Sequence, residues 1–182
     1  MKEGVVEEGC VQEGIFAYRA DMDLTPTLYG ATSAAFPEHS MTLTEPGPVV
    51  IDTNIALDLL VFEDPAWAPL AARLAAGELC WLATAAMRIE LERVLGYPLI
   101  ARRMAQRELQ LPAVLADFDA RVRMLEGRPP RAPCVCSDPD DQVFIDLAVA
   151  HKALLLSKDR AVLSMKKRLA LRGVVVQAAY GG

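Results

Sequence analysis

The chain has 182 residues, 53% of them hydrophobic, and a mean hydropathy of +0.22. This length supports one domain with a sizeable core and is short for two, and the composition excludes an intrinsically disordered protein. A membrane-spanning helix needs about 20 apolar residues, whereas the apolar runs here are interrupted by charge or end after about ten. The chain starts with Glu3, Glu7 and Glu8 rather than with a basic leader, so we expect a cytoplasmic protein.

The net charge of −5 is concentrated in the first 40 residues, which contain seven acidic and two basic side chains. The other 142 residues contain 17 acidic and 17 basic side chains and are therefore neutral as a group. The acidity of the whole chain thus does not exclude a polyanionic partner for its later part.

The cysteines are few, and their spacing does not favour a zinc site. Cys10, Cys80, Cys134 and Cys136 form no pair of clusters with zinc spacing, and the chain has two histidines. We therefore expect reduced thiols, as is usual for cytoplasmic proteins.

Residues 1–46 differ from the rest of the chain. They show no sustained helical or strand period and include a stretch rich in Thr, Pro, Ser and Ala at 25–40. We expect an N-terminal extension here, which is either a flexible arm or a segment upstream of a natural start at Met41. Residues 47–182 are expected to form the folded domain.

From Val49 onward, short apolar runs alternate with segments of helical period. The apolar runs predict strands at 49–51, 79–83, 154–157 and 174–176. The helical segments lie at 54–62, 66–76, 85–95, 139–151 and 160–171. Two more helical segments, broken near Pro112, carry the chain to Glu126, and a Pro-rich loop follows. Continuously apolar strands separated by helices predict a three-layer α/β/α sandwich with a central, mainly parallel sheet.

Acidic side chains follow two of the predicted strands. Asp52 comes directly after the first strand, and Asp159 comes two residues after the strand at 154–157. In an open parallel sheet, ligands bind beyond the carboxyl ends of the strands, so these two aspartates can converge although 107 positions separate them. Asp141 lies in the first turn of the helix before the second of these strands, and Glu90 lies in the middle of another helix.

Such carboxylates suit a divalent cation, but two of the four also have simpler explanations. Magnesium prefers oxygen ligands and needs one or two carboxylates per ion, and it can then activate water for attack on a phosphodiester. The run Asp138-Pro139-Asp140-Asp141 is also typical of a helix start, where Asp138 and Asp140 would only cap. Glu90 and Glu92 could equally lie on a solvated helix face. Asp58 is expected at the surface.

Taken in chain order, four segments resemble the PIN domain, a family of metal-dependent ribonucleases that includes the toxin halves of many prokaryotic toxin–antitoxin pairs. The similar segments are Val49-Val50-Ile51-Asp52-Thr53-Asn54, Ile89-Glu90-Leu91-Glu92-Arg93-Val94-Leu95, Asp138-Pro139-Asp140-Asp141 and Leu154-Leu155-Leu156-Ser157-Lys158-Asp159. The resemblance covers about residues 48–178. No single segment is specific, and the case depends on their joint order.

The resemblance implies a catalytic site and a set of partners. Asp52, Glu90, Asp141 and Asp159 would be the catalytic residues and would hold one or two Mg²⁺ or Mn²⁺ ions. Asn54 and Ser157 would support these ligands through polar contacts. The implied substrate is RNA, the implied partners are a cognate antitoxin protein and a second copy of the chain, and no membrane is involved. Lys158, next to the site, and the N-terminal extension depart from the family pattern.

Basic side chains could supply the contacts to RNA phosphates. The candidates for substrate binding are Arg102, Arg103, Lys158 and Arg160, although each could instead lie on a solvated helix face.

Three rival functions stay open. A phosphatase of the haloacid-dehalogenase type would need a second aspartate where Asn54 stands, a nucleotide-binding domain would need a Gly-rich loop after the first strand, and a catalytically silent RNA-binding or scaffold domain would share the fold.

Overall fold

The computed structural model describes residues 45–181. The predicted extension, residues 1–46, therefore lies outside the described residues except for its last two positions. Within the described part of the chain, none of the helices has both the length and the apolar character that crossing a membrane requires.

The centre of the domain is a sheet of five parallel strands. The strands are β1 (Gly47–Ile51), β2 (Leu79–Thr84), β3 (Val122–Leu125), β4 (Leu154–Leu156) and β5 (Val176–Gln177), in the order β3-β2-β1-β4-β5. Val49, Val50 and Ile51 of the central strand β1 are fully buried, as expected for a strand covered on both faces. The predicted α/β architecture with a parallel sheet is confirmed.

Helices connect the strands. They are α1 (Thr53–Leu57), α2 (Ala68–Ala75), α3 (Ala85–Leu95), α4 (Pro98–Gln106), α5 (Leu111–Arg121), α6 (Gln142–His151), α7 (Arg160–Ser164) and α8 (Lys166–Ala170). A π-helical segment, Asp58–Phe62, extends α1, and a 3₁₀ turn, Pro65–Trp67, precedes α2. Right-handed crossovers place the helices after β1 and β2 on one face of the sheet and those after β3 and β4 on the other.

The structure differs from the sequence-based expectation at β3. The sequence predicts helix up to Glu126, but α5 ends at Arg121 and Val122–Leu125 pairs with β2 as an edge strand. Its two end residues are half-buried and its two central residues are exposed, so the local pattern does not distinguish a strand from the last turn of a helix. Pairing with β2 decides the conformation here, which is a tertiary effect.

The starts and ends of three other elements are also shifted. Helix α6 begins at Gln142 rather than near Pro139, because Asp138 closes a separate turn in which its Oδ1 accepts a hydrogen bond from the Asp140 N–H (3.0 Å). The basic helix predicted at 160–171 is divided at Met165 into α7 and α8. The last strand is Val176–Gln177 rather than 174–176.

The order of the strands brings two distant segments together. β1 and β4 are neighbours, with Ile51 opposite Leu156, and the Asp52 N–H continues the pairing by donating to the Leu156 carbonyl (2.9 Å). The chain leaves β1 toward β2 and leaves β4 toward β5, on opposite sides. The carboxyl ends of β1 and β4 therefore form the topological switch point at which ligands bind in open α/β sheets.

Candidate active site

Asp52 is the most deeply buried of the four predicted acids, with 3% of its surface exposed. It precedes α1 as the N-cap residue, and its Oδ1 accepts a hydrogen bond from the Asn54 N–H (3.2 Å). Its Oδ2 accepts a hydrogen bond from the hydroxyl of Ser157 (2.7 Å), which is also buried. The local structure thus fixes the direction of this carboxylate at the end of β1.

Ser157 joins Asp52 to Asp159. Its Oγ donates to Asp52 and accepts a hydrogen bond from the Asp159 N–H (3.0 Å). Asp159 is the N-cap residue of α7, where its Oδ1 accepts from the Ala161 N–H (2.6 Å). One buried hydroxyl therefore holds the two strand-end aspartates next to each other.

Glu90 points toward the same end of the sheet, which its position in a helix could not predict. It is half-buried in α3, and its Oε1 accepts a hydrogen bond from the hydroxyl of Thr53 (3.1 Å). Thr53 belongs to the Asp-Thr-Asn segment that follows β1, and the sequence alone predicts no role for it. The structure makes it the contact that orients Glu90.

Asp141 has an incomplete set of partners. It is the N-cap residue of α6, but its side chain makes no capping hydrogen bond, and its buried Oδ2 has no hydrogen-bond partner. Burial, followed by the negative charges of Asp159, Asp52, Asp138 and Glu90, raises the pKa of Asp141 to about 7. A buried carboxylate oxygen without a donor is costly unless a proton or a cation approaches it.

The other carboxylates share this electrostatic environment. Burial raises the pKa of Asp52, with Asp159 adding repulsion, and burial also raises the pKa of Glu90. Hydrogen bonds from Ser157 and Thr53 act in the opposite direction on these two pKa values. The structure therefore brings all four predicted acids into one repelling group at the ends of β1 and β4.

A cavity of about 540 Å³ opens beside this group. Asp52, Glu90 and Asp141 line one side, together with Asn54, which is exposed. The other side is apolar and is formed mainly by residues 97–100. The cavity gives solvent and ligands access to the acids.

The residues present fit a hard divalent cation, although they do not enclose one. All the candidate ligands are carboxylate oxygens, which such cations prefer, and Asp141 Oδ2 lacks another partner. Among residues 45–181, however, no three acidic, histidine or cysteine side chains are placed so that together they could hold a metal ion. An ion held by one or two carboxylates and several waters is compatible with this open arrangement.

The predicted substrate-binding cations have different surroundings. Arg102 and Arg103 are exposed on α4, and Arg160 is exposed at the start of α7. Lys158 instead pairs with Asp58 and lies 5.4 Å from the centre of the Trp67 ring. It neutralises Asp58 rather than one of the four site acids.

Asp58 does not lie at the surface as expected. Only 13% of its side chain is exposed, and it accepts a hydrogen bond from Trp67 Nε1 (3.0 Å) as well as from Lys158. Glu92, in contrast, is exposed and lies 3.7 Å from Arg88, which also pairs with Asp119. The solvated-face explanation is thus correct for Glu92 and does not apply to Glu90.

A sequence profile described as PIN domain matches residues 48–161, more than half of the chain and the segment that contains all four acids. The chain belongs to the PIN-domain family. PIN domains are generally nucleases, so membership assigns the protein to hydrolases that act on nucleic acids.

Among solved structures, this PIN domain is similar to a chain in the crystal structure of VapBC2 from Rickettsia felis bound to a DNA fragment from their promoter. The sequences are 12% identical, the TM-score is 0.49, and the match covers 71% of this chain and 97% of the other. No curated protein sequence matches this chain.

Proposed function

We propose that this PIN domain is a metal-dependent endoribonuclease that hydrolyses RNA phosphodiester bonds and acts as the toxin of a toxin–antitoxin pair. The observation that carries the proposal is the unpartnered, buried Oδ2 of Asp141 within a group of four mutually repelling carboxylates. Structural acids in a stable fold are normally paired. An arrangement that leaves this charge unpaired favours a site that binds a cation.

Each acid has a defined part in this proposal. Asp52, Glu90, Asp141 and Asp159 would hold one or two Mg²⁺ or Mn²⁺ ions, which when bound supply an activated water and offset charge on the phosphate. Ser157 and the Asn54 N–H keep Asp52 in place, and Thr53 keeps Glu90 in place. These contacts reduce the freedom of the carboxylates before any ligand binds.

The nuclease part is tested with labelled RNA in the presence of Mg²⁺ or Mn²⁺, with and without a chelator. We expect cleavage that the chelator abolishes and that falls at least about 100-fold in Asp52→Asn. Two pairs of variants separate site acids from their neighbours: Glu90→Gln against the exposed Glu92→Gln, and Asp141→Asn against the exposed Asp140→Asn. Cleavage that persists in chelator, or equal losses within each pair, would rule out the proposed metal site.

The toxin part is tested separately in cells. It rests on the family, which includes many toxins, and predicts growth arrest when the wild-type chain is expressed. Asp52→Asn should remove the arrest, and co-expression of a small protein encoded by a neighbouring gene should relieve it. Normal growth with an actively cleaving enzyme would favour a role in RNA maturation.

The proposed homodimer is tested by sedimentation of the purified protein, which measures its mass in solution.

RNA binding without cleavage would indicate a different function. If the folded wild-type protein binds RNA but cuts none in either metal, the chain is a catalytically silent member of the family. Isothermal titration with Mn²⁺ then decides whether the carboxylates still bind a cation.

A further inference from the structure

The apolar side of the active-site cavity has no role in metal binding or catalysis. It is formed by Tyr97, Pro98, Leu99 and Ile100, which connect α3 to α4 and begin α4. Tyr97 is 45% exposed and Leu99 is 81% exposed. Large apolar side chains at this level of exposure, grouped beside a cavity, typically mark a binding surface.

This wall is continuous with the carboxylates. Asp52, Glu90 and Asp141 line the same cavity as residues 97–100, and its volume of about 540 Å³ lies within the range of small-ligand sites. A ligand that places a phosphate against the acids and their cation would therefore bring its next group against Tyr97 and Leu99.

A cation lies beside the aromatic ring of this wall. Arg93 is one helical turn after Glu90 on α3, it is exposed, and its guanidinium carbon lies 6.0 Å from the centre of the Tyr97 ring. Its charge lowers the pKa of Glu90, which shows that it also acts on the acidic side. Arg102 and Arg103 are exposed farther along α4. Carboxylates, an aromatic ring and a neighbouring cation are thus grouped at this end of the sheet.

A nucleotide has groups that match the acids and the ring, because a charged phosphate is joined through ribose to a flat base. Bases stack on aromatic side chains and on guanidinium planes, and each stacked base contributes about 1–3 kcal/mol to binding. A base within a duplex is already stacked on both faces. The wall is therefore accessible only to a base in a single strand, a loop or a bulge.

Resting on the proposed ribonuclease activity, we infer that Tyr97 and Leu99, with Arg93 beside them, form a subsite for one unpaired nucleobase next to the scissile phosphate. The subsite adds affinity and selects the strand conformation, and it takes no part in the chemical step.

The first test separates binding from chemistry with variants of Tyr97. Tyr97→Ala should raise KM for a single-stranded RNA about tenfold, with kcat changed less than about twofold, because stacking stabilises the ground state and the transition state alike. Tyr97→Phe should restore KM, since the ring is sufficient. The Tyr97 side chain makes no capping hydrogen bond, so loss of folding is not expected from either substitution.

The chain contains a matched control for this experiment. The Arg73 guanidinium carbon lies 5.9 Å from the centre of the Tyr180 ring, the same kind of pair as Arg93 and Tyr97, in a cavity lined by none of the four acids. Tyr180→Ala should leave KM unchanged. Equal increases of KM in Tyr180→Ala and Tyr97→Ala would overturn the inference.

The second test removes the base instead of the ring. After the cleavage position is mapped, an RNA with an abasic ribose beside it should bind wild type about tenfold more weakly than the intact RNA does, as expected for one stacked base. The same change should have no further effect on Tyr97→Ala, because the two groups form one interaction in a double-mutant cycle. Additive losses would overturn the subsite.

Binding measurements keep the outcome independent of turnover. Asp52→Asn should bind a single-stranded RNA containing 2-aminopurine with quenched fluorescence, and the quenching should disappear when Tyr97→Ala is added. If no RNA is cut but this quenching is seen, the proposed activity fails and the subsite stands. If RNA binding is unchanged in Tyr97→Ala while the protein no longer self-associates, the wall is a protein interface and the inference is wrong.

Discussion

Asp141 is the site acid whose ionisation is opposed most strongly by its surroundings. Its pKa of about 7 lies well above the ordinary value of 3.8, because burial and four neighbouring acids oppose its charge. The unfolded chain releases this proton near the ordinary value, whereas the folded chain keeps it until about pH 7. The contribution of Asp141 to stability is therefore greatest at low pH and decreases as the pH rises between these two values.

This sign leads to a prediction for the metal-free protein. In chelator, the free energy of unfolding should fall as the pH is raised from about 4 to about 7, and Asp141→Asn should show a smaller decrease because its amide does not ionise. Urea denaturation at several pH values measures the two slopes. The exposed Asp140→Asn is the matched control and should stay much closer to wild type, since the charge of Asp140 acts on the pKa of Glu90 but not on that of Asp141. Equal slopes in Asp141→Asn and wild type would contradict the assigned cause.

At the scale of elements, two buried polar side chains attach a loop to α6. Gln142 Nε2 donates to Asp146 Oδ1 (2.6 Å) and to the Cys134 carbonyl (3.1 Å), and Gln142 Oε1 accepts from the Cys136 N–H (2.8 Å). Asp146 Oδ1 also accepts from the Ala132 N–H (2.9 Å). Since Gln142 directly follows Asp141, the same contacts that hold residues 132–136 also fix the start of the helix that carries the acid.

Removing this attachment should affect both stability and activity. Gln142→Leu leaves the Cys136 N–H and the Cys134 carbonyl without their partner, and each unsatisfied buried group costs about 1–3 kcal/mol. We expect the free energy of unfolding, measured in urea, to fall by at least about 2 kcal/mol, and Mn²⁺ to bind more weakly under folding conditions. Gln106→Leu, on the exposed side of α4, should change neither. A decrease below about 0.5 kcal/mol would show that water replaces the side chain.

The sequence predicts the buried strands of this fold better than the strand β3 at the edge of the sheet. Continuous apolar runs indicate β1, β2 and β4, and the ends of β1 and β4 are enough to place Asp52 and Asp159 together. The edge strand β3 gives no such signal, because pairing with β2, and not local pattern, makes it extended. Helical spacing cannot give the direction of Glu90, which depends on a hydrogen bond from a residue 37 positions earlier. For Asp141 the local sequence favours a role at the helix start, and only the structure shows that its carboxylate lacks a partner.

At the scale of the whole molecule, the charge distribution determines how the proposed RNA substrate would be attracted. The 142 residues after the first 40 are neutral in total, so an RNA strand would be attracted by local groups of cations rather than by a net charge. Exposed Arg102 and Arg103, on the helix that begins at the cavity wall, form one such group. Contacts of this kind release counterions and make affinity depend on salt.

The salt dependence of RNA affinity therefore tests whether Arg102 and Arg103 contact the RNA. The double variant Arg102→Ala/Arg103→Ala should weaken binding to single-stranded RNA, and the slope of log affinity against log salt should decrease by about 1.4, since each neutralised phosphate accounts for about 0.7. Fluorescence anisotropy at several salt concentrations measures the slope. Arg168→Ala/Arg172→Ala removes the same charge from an exposed surface near the end of the chain and should leave the slope unchanged. If both double variants lower the slope equally, the attraction is diffuse and does not depend on α4.

The hydroxyl of Ser157 has a consequence for the time at which the candidate site is complete. It bonds to Asp52, which lies 105 positions earlier in the chain, and to Asp159, which lies two positions later. β4, which carries it into place, is also the strand that covers the second side of β1. During synthesis, a ribosome that has released the chain only as far as β3 holds two of the four acids and no contact between the two halves of the site. The complete group of carboxylates, on which the proposed ribonuclease activity depends, thus arrives only with the last steps of folding.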